Sequence, residues 1–411
     1  MKQRISIDQL QLGMFIAGLD QSWFKTPFFR HKWLVKRAEE IQLLRQYGVR
    51  EVFIDPTKGR SLSASSPLEE PSPSSKTEQI PSPDNPQEPT TEAEQEPNPE
   101  DLATATLIRS GAIEAMEALF SNITNGAPVQ PDSVRNVVSA LLDGLMEHQA
   151  AMVSLIQMQR FDQRLAAHGV DTCVLSLVLA KSHGMDIAQL KVLGIGALLH
   201  DVGQLRLPLN FIKKRTPYSE QDRKLMQIHP ETGVAFLNQL PDIPDEAKRA
   251  VLEHHERLDG SGYPRQLQGP SLSLLSQIIA IADTYDAQIS GRCSHPPVPP
   301  SQAVRELYRA AANGQFDIIL IQELIQFLGV YPIGSLVELN TGEHAGVVWV
   351  HPQHRLQPTV KLLVSPAGEP YPDQPILNLA RTRSGEPERF ITQALDPSKE
   401  SVDILNFLEG L

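Results

Sequence analysis

Two adjacent histidines lead the stretch Glu253-His254-His255-Glu256-Arg257-Leu258-Asp259-Gly260-Ser261-Gly262-Tyr263-Pro264, which makes a poor helix and a poor strand and suits the holding of a ligand. Upstream, His168 lies on a helical segment, His200-Asp201 closes an apolar run and His229 precedes Pro230. Downstream, Asp283 sits in Ile281-Ala282-Asp283-Thr284-Tyr285-Asp286-Ala287. Imidazoles and carboxylates separated by about a helix and a loop each are what a metal centre inside a helical bundle requires.

Taken singly, each of these residues has a plain alternative. His200 could end a core helix with Asp201 in solvent, although Gly203 behind them allows the chain to turn sharply beside an ion. Asp283 is harder to dismiss, because the apolar residues from Ile278 to Ala287 would bury it. A buried carboxylate needs a cation or several donors, since isolated burial costs several kcal/mol. Together the five histidines and two aspartates fill most positions around two octahedral ions, with water completing them. No Walker loop, paired-cysteine motif or hydrolase serine elbow offers a rival chemistry.

The elements that must position these residues fall into five stretches. Residues 1–60 read as a small α/β domain: Ile5, Ile7, Leu10, Leu12 and Met14 suggest strands around Gly13, Arg37 to Tyr47 a helix stopped by Gly48, and Val52-Phe53-Ile54 a strand. Residues 61–101 hold nine prolines, ten acidic residues and one lysine, which predicts a disordered linker. That stretch accounts for −9 of the net charge of −12, so the remainder is near neutral and carries no basic footprint for duplex nucleic acid. Residues 102–159 read as a helical connecting segment, with Pro131 suited to a first helical turn. Its stripe Val134, Val137, Val138, Leu141 and Leu145 is core in the first instance and a homodimer or signalling face in the second.

Residues 160–330 are helical and hold every candidate ligand. From 331 to 411 strands follow, at Ser335 to Leu339, Gly346 to Val350 and Thr359 to Val364, as a small barrel-like β module with a helical tail from Asp396. Its His344, His351 and His354 read as surface residues. Cys173 and Cys293 stand far apart without metal-knuckle spacing, which suits a reducing compartment. The start at Met1-Lys2-Gln3-Arg4 has no signal-peptide core, and the apolar runs near Val174 to Ala180 and Leu193 to Leu199 fall short of a membrane span, so a cytoplasmic protein is expected.

The ligand set resembles the HD-GYP family, metal-dependent phosphodiesterases that hydrolyse the bacterial second messenger cyclic di-GMP. The resemblance implies a mainly α-helical HD-type metal-binding bundle over 160–330. His200-Asp201 matches the HD dyad, with Asp201 bridging two ions. His168 and Asp283 match the remaining ligands of the first ion; His229, His254 and His255 match those of the second. Iron or manganese suits such a set. Gly262-Tyr263-Pro264 matches the GYP signature beside the site. Residues 1–60, with Gly13-Met14 and Trp23 to Phe29, resemble a domain of uncertain role that often precedes HD-GYP domains and implies association with signalling partners. Some members hold a third metal through a glutamate four residues before the first histidine; that position is Arg164 here, which favours two metals.

The implied reaction is hydrolysis of cyclic di-GMP to pGpG, and on to GMP, by a water bridging both ions. Two departures bear on the substrate. The family continues its dyad as HDIGK, whereas this chain reads His200-Asp201-Val202-Gly203-Gln204, so Gln204 replaces a phosphate-gripping lysine and Arg206 is the nearby candidate to compensate. The loop Gln288 to Pro297 keeps Arg292 but loses the Pro-Tyr-Arg end of the family segment. A metal-bound cyclic di-GMP receptor or scaffold without turnover, and a phosphohydrolase of another nucleotide, are the alternatives that these departures raise.

Overall fold

The computed structural model describes residues 3–19, 33–35, 41, 44–45, 49–56, 58–59, 98–129, 131–158, 164–208, 218–240, 242–292, 296–351, 353–381 and 388–400. The expectations for Trp23 to Phe29, for Gly48, for most of the linker and for the tail beyond residue 400 lie outside them. The chain divides into two compact units, Met1–Pro89 and Thr90–Leu411.

In the first unit β1 (Gln3–Ser6), β2 (Phe15–Leu19), β3 (Trp33–Leu34) and β4 (Glu51–Ile54) form an antiparallel sheet of order β1-β4-β2-β3. Ile5, Met14, Ile16, Leu44, Val52 and Ile54 make its core. Of the helix expected from Arg37 to Tyr47, the described residues Ile41, Leu44 and Arg45 are helical.

The second unit opens with α1 (Pro99–Asn125), so the helix begins inside the stretch read as linker. Composition hid this start: Asn98 caps it by accepting the Asp101 amide at 2.8 Å, and Pro99 with Glu100 and Asp101 fits a first turn, where a missing N–H and negative charge are both favourable. Then come α2 (Pro131–Glu147) and α3 (Gln149–Met158). The Val134 to Leu145 stripe is buried within the chain, where α2 packs on α1 and on α5 (Ile187–Leu199). The central helix is α4 (Leu165–Ser182), buried from Ala166 to Ala180. By length and composition α4 could cross a membrane, which the two short apolar runs did not suggest; 83% of it is buried inside the protein.

Around α4 and α5 stand α6 (Glu220–Met226), α7 (His229–Leu237), α8 (Asp245–Glu253), α9 (Leu274–Ser290), α10 (Pro300–Ala312) and α11 (Ile318–Leu328). Behind them β5 (Leu336–Leu339), β6 (His344–Trp349), β7 (Thr359–Val364), β8 (Ile376–Asn378) and β9 (Ile391–Ala394) form one antiparallel sheet of order β8-β7-β6-β5-β9. The last two strands were not expected; both are short and half exposed, so neither shows a clear alternation. Of the tail, Pro397–Lys399 forms a single 3-10 turn.

Candidate metal centre

The seven ligand candidates are delivered by helix ends and helix faces around α4. His168 projects from the first turns of α4; His200 caps the C-terminus of α5 and Asp201 follows it; His229 starts α7; His254 caps α8 and His255 follows in the turn; Asp283 lies midway along α9. One device orients three of the rings. His200 Nδ1 donates to Ala197 O, His229 Nδ1 to Met226 O and His254 Nδ1 to Val251 O, each at 2.7 Å. These carbonyls lie in the last turns of α5, α6 and α8, where helical partners run out. A carbonyl only accepts, so each Nδ1 carries the proton and each Nε2 lone pair faces inward. His168 follows the same logic with a carboxylate, its Nδ1 lying 2.6 Å from Asp286 Oδ2.

The inward atoms gather into two groups. Asp201, His229, His254 and His255 each offer a ligand atom within 4.8 Å of one another, and so do His168, His200 and Asp283. Asp201 faces both: its Oδ1 lies 3.1 Å from His229 Nε2, and its Oδ2 lies 3.5 Å from His200 Nε2 and 3.7 Å from His168 Nε2. Asp283 also divides, with Oδ1 at 3.1 Å from His168 Nε2 and Oδ2 at 3.8 Å from His255 Nδ1. His229 and His254 oppose their Nε2 atoms at 3.1 Å, although both rings have committed their protons at Nδ1. Two lone pairs aimed at each other in a buried site are repulsive, and a cation shared between them resolves the conflict. The donor set therefore fits divalent metal.

Around Asp201, His254 and His255 the electrostatics agree with this arrangement. Burial, reinforced by His200 and His229, pushes the His254 pKa down to about 3. Burial also holds His255 well below the usual histidine range, so both rings are neutral and ready to ligate. Burial works against ionisation of Asp201, yet the surrounding His200 and His229 outweigh it and keep the carboxyl ionised. At His168 the balance runs the other way: burial and Arg292 pull its pKa down, but hydrogen bonds to Asp283 and Asp286 outweigh them and raise it to about 9, so without a cation the ring carries both protons and must give up the one on Nε2 to ligate.

The GYP loop closes one side. Tyr263 stacks on His255 with ring centroids 4.7 Å apart, and the Tyr263-Pro264 bond is cis. Gly262 is required by close approach: a Cβ there would fall against the backbone of His255, Glu256 and Arg257. The sequence reading missed Glu256, which is 1% exposed and accepts the amides of Arg265 at 2.6 Å and Leu267 at 3.0 Å, pinning the loop. It also missed Asp286, although its spacing of three from Asp283 on one helix was a usable signal. Gly203 earns its place through steric fit, not through a special turn: a Cβ there would collide with the His229 carbonyl, so glycine lets α7 close over the dyad.

Arg292 follows Gly291, whose positive φ of 71° stops α9. From there its guanidinium donates to Asp201 Oδ2 at 3.3 Å and to Gln204 Oε1 at 3.4 Å, all three residues being buried. Arg206 is exposed and lies over the Phe236 ring at 6.0 Å. Arg164 donates to Glu117 at 2.7 Å and brings no carboxylate to the site. His351 bonds Thr359 at 3.0 Å, and neither it, His344 nor His354 belongs to either ligand group.

Residues 146–320 match the HD domain family; 2–134 match a domain of unknown function (DUF3391), and 336–402 match a KOW domain associated with HD domains. With the buried histidine and aspartate groups, these matches define a metal-binding HD-domain protein. A cyclic di-GMP phosphodiesterase of Pseudomonas aeruginosa is 29% identical over 393 residues, 95% of this chain and 92% of its own length. A 3'3'-cGAMP-specific phosphodiesterase of Vibrio cholerae is 36% identical over 163 residues, which span only 38% of that protein. A solved structure from Bdellovibrio bacteriovorus, described as an HDG"Y"P protein, covers 79% of this chain and 98% of its own at a TM-score of 0.48 and 18% identity. Residues 146–320 thus carry an HD domain, in a chain similar over nearly its whole length to a cyclic di-GMP phosphodiesterase.

Proposed function

We propose that this protein is a metal-dependent phosphodiesterase that opens cyclic di-GMP to linear pGpG, with Asp201 shared between two divalent ions, iron or manganese. The observation that carries the reading is Asp201 itself, whose two oxygens face two separate groups of inward-pointing imidazoles. His168, His200, Asp201 and Asp283 would hold one ion; Asp201, His229, His254 and His255 would hold the other. Bound there, the ions would supply Lewis-acid polarisation of a phosphodiester and an acidified water.

The chain's own residues do the rest. The Nδ1 contacts to helix-end carbonyls hold the imidazole protons away from the centre. Burial of all the ligands except His255, which is partly exposed, excludes bulk water and strengthens each electrostatic contact. The His255–Tyr263 stack lies at this more open side and gives a nucleobase an aromatic face to meet. Arg292 is the cation for a phosphate oxygen, and Gln204 fixes its guanidinium.

Asp201→Ala is the direct test, with metal content and cyclic di-GMP turnover measured on the same preparation. Loss of an outer-shell partner commonly costs about 10–100-fold in metal affinity or activity, so loss of a shared ligand should cost at least about 100-fold in turnover. Near-wild-type turnover would sink the assignment. A second reading, cyclic GMP-AMP as substrate, draws on the Vibrio relative. Parallel turnover of both dinucleotides separates the two, and tight binding of either without turnover by metal-loaded wild type would make the protein a receptor instead.

A further inference from the structure

The turn that carries His254 and His255 is held from behind by one side chain. α8 ends at Glu253, so the carbonyls around that end lack the amides that a continuing helix would supply. Three of them find donors close at hand. Val251 O accepts His254 Nδ1 at 2.7 Å, Glu253 O the Glu256 amide at 2.8 Å and His255 O the Tyr263 amide at 3.2 Å. The His254 carbonyl is met by Arg257, whose Nη1 lies 3.3 Å away and also donates to Glu256 O at 2.9 Å. Arg257 Nη2 reaches across to Thr284 Oγ1 at 3.4 Å, on α9 and next to Asp283. That hydroxyl gives its own proton to Ala280 O at 2.6 Å, which leaves it a lone pair for the guanidinium. The flat face of the guanidinium lies over the buried Phe316 ring, 4.7 Å from its centroid, and the Leu258 amide donates to the adjoining Gln315 O at 3.0 Å.

We propose that Arg257 is a positioning residue for the second ion: it caps the end of α8 and ties the His254–His255 turn to α9 and to Gln315-Phe316, which keeps both rings turned toward Asp201. This inference rests on the metal-centre reading above. A cation at a helix C-terminus is favourable, and arginine alone combines that charge with two donor arms and a face that stacks. An apolar side chain could cover Phe316 but would leave the His254 carbonyl without this donor. The charge itself works against metal, because a guanidinium repels divalent ions nearby. Loss of Arg257 through its charge alone would therefore tighten metal binding, whereas loss of its positioning weakens it. The sign of the change separates the two roles.

The test uses the full chain, stripped of metal and titrated with manganese against a competing chelator. Electron paramagnetic resonance tells paired ions from isolated ones, and circular dichroism follows the fold. Arg257→Met is expected to lose about 10–100-fold in affinity for the ion of His229, His254 and His255, while the ion of His168, His200 and Asp283 changes by less than about threefold. At manganese levels that pair the ions in wild type, this variant should then show an isolated-ion spectrum. Phe316→Leu, which removes the stacking face and keeps the hydrogen bonds, should cost the same ion about two- to fivefold. Arg257→Lys keeps the charge without the fork; it should fall between wild type and Arg257→Met, and it carries the test should the methionine variant fail to fold. Folded Arg257 variants that bind both ions as wild type does, bind them more tightly, or lose both equally would overturn this inference alone. Wild type that takes up no manganese would overturn the metal-centre reading and this inference with it.

Discussion

Gln204 is the residue at which resemblance and geometry part. The family lysine suggested that restoring a cation would improve the grip on phosphate. In the structure Gln204 is buried and its Oε1 already accepts from Arg292, which also reaches Asp201. An ammonium in its place would meet the guanidinium at close range in a poorly screened site. Gln204→Lys should therefore lower kcat/KM for cyclic di-GMP by about tenfold, with little relief at high salt. Steady-state kinetics at two salt concentrations check this, and a gain at both would mean that the lysine reaches the phosphate directly. The ligands were legible in sequence because histidine and aspartate are informative where apolar residues surround them. Asp286 and Glu256 were not, because their work is defined by partners 118 and 9 residues away.

At the scale of elements, the centre depends on where helices stop. Three of its rings are fixed by carbonyls in final turns, so the ends of α5, α6 and α8 are parts of the site. The contact of α7 with the dyad turn passes through Gly203, whose missing Cβ makes room for the His229 carbonyl and the Gly233 amide. Gly203→Ala should push α7 outward and carry His229 with it. The expected result is loss of one ion per chain, from the group of His229, His254 and His255, with helical content unchanged; metal analysis beside circular dichroism reads both. Retention of two ions would show that α7 absorbs the methyl without moving its histidine. The sequence reading placed helices at His168 and His200, where α4 and α5 run to 18 and 13 residues, whereas α7 and α8 are nine residues each with no side-chain cap and were read only as part of a helical stretch. It failed for β8 and β9, which are three and four residues long and lack an apolar face of their own.

For the molecule as a whole, the question is which parts can be removed. All seven ligand candidates, together with Asp286, lie within Thr90–Leu411. A chain starting at residue 90 should therefore keep its metal and its turnover within about twofold, and its loss of activity would show that the first unit contributes to catalysis. The other end is different. The core of the C-terminal sheet takes in Ala150 and Met158 from α3, and the Ile333 amide donates to Gln157 Oε1 at 2.8 Å in a buried site. Ending the chain at residue 330 would expose those side chains and strand the Gln157 oxygen. One such hydrogen bond and its neighbouring apolar contacts are worth about 2–3 kcal/mol. For a core of this size, that lowers Tm by about 5–10 °C. Thermal unfolding of residues 90–330 against 90–411, both metal-loaded, measures the difference, and an equal Tm would show that the β module rides on α3 without supporting it.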